Sequence, residues 1–161
     1  MSGLTVVTWV HGTRIGIAES SDGGATWKYR DTCDIRYRTS SYSHWAPEVI
    51  GHNGLYHMYL TYVPGIFTDW KHPRWIVLLT SKNLINWDFE SKLDLSSDRC
   101  IDACVFRLPD GAWRMYYNNE VDKKSIYYAD SPDLYHWTDS GKKVVGDQGG
   151  EGPVVFSWKG K

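Results

Sequence analysis

No stretch of this chain is long and apolar enough to cross a membrane as a helix. Among its 161 residues, no apolar run reaches the ~20 residues that a spanning helix requires. The opening residues, Met1-Ser2-Gly3-Leu4, carry neither the positive charge nor the apolar core of a secretory leader. The chain as given therefore reads as cytoplasmic, or as secreted if a leader is missing. Neither sign of charge dominates, with 18 Lys and Arg against 19 Asp and Glu. That balance argues against a phosphate-tracking surface and gives no nucleic-acid partner. Cysteine is scarce: Cys33, Cys100 and Cys104 are an odd set, a poor disulfide framework. They form no Cys-x-x-Cys pair, and the histidines lack zinc-site spacing. They read as buried or semi-buried free thiols, and no metal or other cofactor is expected. Helical periodicity is lacking as well. Segments without Gly or Pro are short and alternate with period two, not 3.6.

Aromatics, by contrast, are abundant. Nine Trp and eleven Tyr exceed what a small core requires. Such rings suit places where a flat apolar face and a polar edge are both used, and a sugar-binding cleft is one such place. Most are expected to pack between strands, and a few to line a cleft.

The chain repeats. Ser21 to Trp27, Ser81 to Trp87 and Ser131 to Trp137 each place a Trp six residues after a Ser, across the turn formers Asp22-Gly23, Asn83 and Pro132-Asp133. Strand-like runs rich in Ile, Val, Leu and Tyr precede each turn, at 14–20, 75–80 and 125–130. One strand earlier, Gly54-Leu55-Tyr56-His57-Met58-Tyr59 matches Gly111-Ala112-Trp113-Arg114-Met115-Tyr116. The Trp-to-Trp steps are 60 and 50 residues, about the period of a four-stranded propeller blade. The expected fold is all-β: antiparallel four-stranded β-propeller blades, about three per chain. Blade one is read over 4–30, blade two over 45–90, blade three over 101–140, and an extra inner strand over 150–158.

The inner strands carry a family resemblance. Trp45-Ala46-Pro47-Glu48-Val49, Ile101-Asp102-Ala103-Cys104-Val105-Phe106 with Pro109-Asp110-Gly111, and Glu151-Gly152-Pro153 occur in the order found in glycoside hydrolase family 43. The chain resembles that family, whose members are five-bladed propeller glycosidases, over nearly its whole length. The resemblance implies hydrolysis of glycosidic bonds, with inversion, in plant-type oligo- or polysaccharides. It implies Glu151 as the general acid and Asp102 as the carboxylate that raises the acid's pKa and orients it. Neighbouring carboxylates cannot both ionise cheaply, which favours such a division of roles. The substrate would be a carbohydrate, bound by Trp45, Glu48 and His44 and by Trp70 and Phe67 of the insertion 64–73. His57, mid-strand, reads as packed.

The chain departs from the family pattern in three ways. Ala103 stands where a Pro is usual, and Glu48 where an Asp is usual. No candidate for the first-blade general base is found, since Asp22, Asp31 and Asp34 fall in turns or outer segments. A non-catalytic carbohydrate-binding or scaffold propeller that lost its base is the alternative. Counting strands leaves one edge open in blade one and one inner strand spare at 150–158. Two copies exchanging that strand would close a six-bladed homodimer, with Glu151 of each copy entering the partner's first blade.

Overall fold

The structure is a computed structural model that describes residues 12–146 and 149–159. Its elements are β1 (Gly16–Glu19), β2 (Lys28–Thr32), β3 (Asp34–Ile35), β4 (Ser43–His52), β5 (Leu55–Val63), β6 (Trp75–Ser81), β7 (Asn86–Lys92), β8 (Cys100–Arg107), β9 (Trp113–Asn119), β10 (Ser125–Ser131) and β11 (Thr138–Val145). Among the described residues there is no helix, hence none that could cross a membrane.

Two antiparallel meanders dominate. β4, β5, β6 and β7 pair in chain order, and so do β8, β9, β10 and β11. β3 extends the first sheet by pairing parallel to β7, while β1 and β2 form a separate two-stranded sheet. The two meanders are adjacent blades of a propeller, with β8 packed against β4, β5 and β6.

Period-two alternation decides which core each side chain joins. Tyr59 of β5 and Ile76 and Leu78 of β6 pack toward the second blade, against Cys100, Val105, Met115, Tyr117 and Leu134. Their neighbours Met58, Leu60, Val77 and Leu79 face the other way, against Cys33, Ile35 and Trp87. β6 reads as a continuous apolar run, Trp75-Ile76-Val77-Leu78-Leu79, because both of its faces are buried. The cysteines are free and buried, and burial pushes all three thiols up.

The repeated turns close in one way. Ser81 Oγ accepts the amides of Asn83 and Leu84 at 3.1 and 2.9 Å, and Ser131 Oγ those of Asp133 and Leu134 at 3.2 and 2.9 Å. Leu84 and Leu134 take left-handed φ values of 64° and 72°. The closing indoles donate from Nε1 to the carbonyls of Leu84 and Leu134, at 3.0 and 3.2 Å. In the first copy Ser20, not Ser21, takes the serine's role, accepting Gly24 N at 2.8 Å. The two-glycine turn of Gly23 and Gly24 adds one residue there.

The three tryptophans are not equivalent in packing. Trp87 is 1% exposed and Trp27 is 66% exposed. Trp87 joins a core cluster with Cys33 and Ile35, and Trp137 meets Tyr59 edge-on at 5.3 Å. Trp27 has no such cover among the described residues, although its Nε1 still donates to Gly24 O at 3.0 Å.

Residues 4–10, read as part of blade one, lie outside the described residues. The segment read as an inner strand over 150–158 lies against β8 without joining a sheet. It is held by Val155 N, which donates to Cys104 Sγ at 3.4 Å, and by Gly152 N, which donates to Asp102 Oδ2 at 3.2 Å.

Candidate active site

Each inner strand is kinked at the same place. In β4 the register slips between Trp45, opposite Thr61, and Glu48, opposite Tyr59. In β8 it slips between Ile101, opposite Asn118, and Cys104, opposite Tyr116. The extra residue of such a bulge re-aims the side chains beside it. Ala46 and Asp102 take left-handed φ values of 38° and 58° at the bulges, and Gly152 takes 59° at the matching place in the third segment. Ala46, Asp102 and Gly152 are therefore structural equivalents. A non-glycine residue held at positive φ is strained, and such strain gathers at functional sites.

The two bulges and the segment after Gly150 bring three carboxylates to one pocket of about 550 Å³. Glu48, Asp102 and Glu151 line it, with Pro47, Cys104 and Pro153 among its walls. Asp102 is half-buried. Burial pushes its carboxyl above the usual range, the Gly152 N–H opposes this, and the charges of Glu151 and Glu120 add to it. Burial likewise raises Glu48, whose Oε1 accepts the Val105 N–H at 3.0 Å. Glu151 is exposed and ion-paired with Lys124. The pocket thus holds one open carboxylate with a cationic partner and two recessed carboxyls that resist ionisation. Carboxyls of this kind can donate a proton to a bound molecule or accept its hydroxyls.

The remaining expected residues fall elsewhere. His44 is buried and lines a separate cavity of about 200 Å³ with Arg14, Arg38 and Tyr42. Burial lowers its imidazole to about 4, and the charges of Arg38 and Arg14 add to this against the Tyr37 carbonyl. Trp45 and Trp70 meet at 6.4 Å between ring centroids, with the Arg74 guanidinium 6.0 and 5.8 Å from the two rings. Neither lines the carboxylate pocket, although Trp45 immediately precedes Ala46, which does. Phe67 stacks on His72 at 3.7 Å, their planes 10° apart. His57 is packed, edge-on to Tyr135 at 5.1 Å. Among the described residues, no group of His, Cys, Asp and Glu is arranged to hold a metal ion.

Several residues at the site escape a reading by motif. Lys124 comes from the β9–β10 turn, Cys104 from the bulge itself, and Thr61 and Asn118 from the second strands. Arg74 and Glu120 form a buried ion pair beneath Trp70, and Arg74 also donates to the Trp70 and His72 carbonyls at 3.3 and 3.1 Å. Register matching of β5 to β9 is the signal that picks out Thr61 and Asn118.

The family model for glycosyl hydrolases family 43 matches residues 5–160. None of the curated proteins matches the chain. Among solved structures, the chain is similar to an alpha-L-arabinanase of Penicillium chrysogenum complexed with arabinobiose. That likeness has a TM-score of 0.60 and 17% identity, and covers 86% of this chain and 42% of that one. It is also similar to a thermostable family-43 glycoside hydrolase, with a TM-score of 0.52 and 24% identity, covering 74% of this chain and 41% of that one. The chain thus spans less than half the length of either solved relative.

Proposed function

Because the chain belongs to glycosyl hydrolases family 43, we propose that its carboxylate pocket cleaves glycosidic bonds of plant-type oligo- or polysaccharides with inversion. The observation that carries this reading is the convergence of Glu48, Asp102 and Glu151 on one pocket, each in a segment with a left-handed residue at the matching place. Glu151 is the proposed proton donor to the leaving oxygen, because it is the accessible carboxyl of the set. Asp102 is the carboxylate proposed to tune and orient it, as the family resemblance implies, and its hold on the Gly152 N–H beside Glu151 supports the orienting part. Glu48, Trp45 and Trp70 are the proposed sugar contacts. His44 and Phe67 are, like Trp45 and Trp70, proposed contacts for the part of a substrate that extends beyond the pocket.

Inversion needs a base about 6.5–9.5 Å from the acid, with a water between. The proposed source is the first blade, completed by a second copy. Val154, Phe156 and Trp158 alternate along the segment after Glu151 and are exposed, as the core side of an unpaired strand would be. Sedimentation of the chain at micromolar concentration tests this. A dimer mass is expected, and a stable monomer overturns it.

Hydrolysis is tested with aryl arabinofuranosides, xylosides and galactosides, reading the anomer of the first product by NMR. An inverted product from one of them supports the reading. No turnover, with carbohydrate still bound, favours a non-catalytic binding propeller. One observation favours that second reading: no carboxylate of β1 or β2 lines the pocket.

A further inference from the structure

Two of the side chains that tether the pocket's acidic segments lie on the neighbouring second strands, outside the pocket. Thr61 of β5 stands opposite Trp45, and Asn118 of β9 stands opposite Ile101. These are equivalent positions, each facing the residue just before a bulge. Both side chains are buried, and both bond to the inner segment of the next blade. Thr61 Oγ1 accepts the Asp102 N–H at 3.2 Å, and Asn118 Nδ2 donates to the Gly150 carbonyl at 2.8 Å. Neither residue lines the pocket.

Glu151 sits in a permissive stretch of chain. Gly149 and Gly152 take φ values of 75° and 59°, and Gly150 lies between them. Glycine leaves such a backbone free to choose among many conformations, so the aim of Glu151 depends on external tethers. Three are present. The Asn118 amide holds Gly150 O, Asp102 Oδ2 holds Gly152 N at 3.2 Å, and Gly150 N donates to Lys124 O at 2.8 Å. All three come from the preceding blade.

We propose that Asn118 is the positioning residue for Glu151, and Thr61 the positioning residue for Asp102. The proposal rests on the reading of Glu151 as proton donor. Asn118 fixes the carbonyl on one side of Glu151 while Asp102 fixes the amide on the other, so the carboxyl is carried between two anchored peptide groups. Loss of the Asn118 anchor frees a glycine-rich hinge and spreads the carboxyl over positions that do not reach the leaving oxygen.

The test compares Asn118→Leu, Asn118→Asp and Thr61→Val in the full chain on two probes, 4-nitrophenyl arabinofuranoside and an arabino-oligosaccharide. Nitrophenolate leaves without a proton, whereas a sugar alkoxide needs one. Asn118→Leu is expected to lower kcat on the oligosaccharide by roughly 10²-fold, the cost of a misplacement of about an ångström, with KM little changed. Turnover of the nitrophenyl substrate should fall far less. Equal losses on both probes, or none, overturn the positioning role. Glu151→Gln is run beside it; full activity there refutes the donor assignment and leaves the tether to be judged by structure. That judgement comes from amide hydrogen exchange. The Gly152 N–H should exchange faster in Asn118→Leu, and the Asp102 N–H faster in Thr61→Val, while the β9–β10 ladder stays protected. Unchanged exchange at Gly152 overturns the tether even in a chain that hydrolyses nothing. If Asn118→Leu does not fold, Asn118→Asp, which keeps the shape and cannot donate once ionised, gives the same reading at a pH where its carboxyl is charged, and Thr61→Val gives its own.

Discussion

The Glu48 carboxylate accepts the backbone N–H of Val105 at 3.0 Å, and so bridges from the inner strand of one blade to that of the next. Cys104, the residue equivalent to Glu48, does the same one blade on, where its thiol accepts the Val155 N–H at 3.4 Å. A wall of the pocket is also a seam between blades.

Glu48→Ala removes the acceptor and leaves the Val105 N–H without its partner. An unmet buried donor costs about 1–3 kcal/mol. Chemical denaturation should show a loss in that range, and Glu48→Gln, whose amide oxygen can still accept, should lose less. Equal stability of Glu48→Ala and the parent would mean that water replaces the carboxylate.

Asp102→Asn is expected to stabilise the fold near neutral pH while reducing hydrolysis. The sign follows from the raised pKa of Asp102. The native state holds this proton more tightly than the unfolded chain does. Its contribution is therefore fullest below the ordinary value of 3.8 and is lost as pH rises through the higher native value. Asparagine also tolerates the left-handed backbone found here. A melting temperature that rises at pH 7 and converges with the parent's in acid is the expected result. A drop at pH 7 would contradict it.

His44 gives the opposite slope. Its imidazole is lowered from 6.5 to about 4, so its contribution is complete above 6.5 and is lost as pH falls toward 4. The loss is at most about 3 kcal/mol. Denaturation curves at a series of pH values should show it, and His44→Gln should flatten that limb. An unchanged slope in the variant would assign the acid sensitivity to other groups.

Arg74 and Glu120 are 1% and 8% exposed at their side chains and bonded to each other. Breaking such a pair strands a charge and costs about 3–5 kcal/mol. Glu120→Ala should lose stability on that scale and disturb Trp70, whose carbonyl Arg74 and Arg99 both engage. Trp70→Ala, at an exposed ring, should weaken carbohydrate binding more than stability. Melting temperature and binding isotherms of the two variants separate these effects.

The blades were legible in the sequence because a repeated turn needs repeated chemistry. Ser81 and Asn83, and Ser131 and Asp133, bond to backbone amides in the same pattern. Ser20 was missed because Gly23 and Gly24 lengthen its turn by one residue. The acidic pair Asp102 and Glu151 was legible through the inner-strand motifs. The tethers were not, because Thr61 and Asn118 differ in type and share only a register position, which appears once strands are paired. The separation of His44 from the carboxylate pocket was hidden for a similar reason. Adjacent residues of a strand point to opposite sides, and a bulge alters which side that is. The exposure of Trp27 depends on what packs across its blade, which the turn motif does not encode.

The most direct measurement is hydrolysis of an unactivated arabino-oligosaccharide by the parent chain and by Glu151→Gln, with folding checked by melting temperature. The expected result is turnover by the parent and a loss of nearly all of it in the variant at unchanged stability, since an amide cannot donate a proton to the leaving oxygen. Full turnover by Glu151→Gln would contradict the assignment of this pocket as the hydrolytic site.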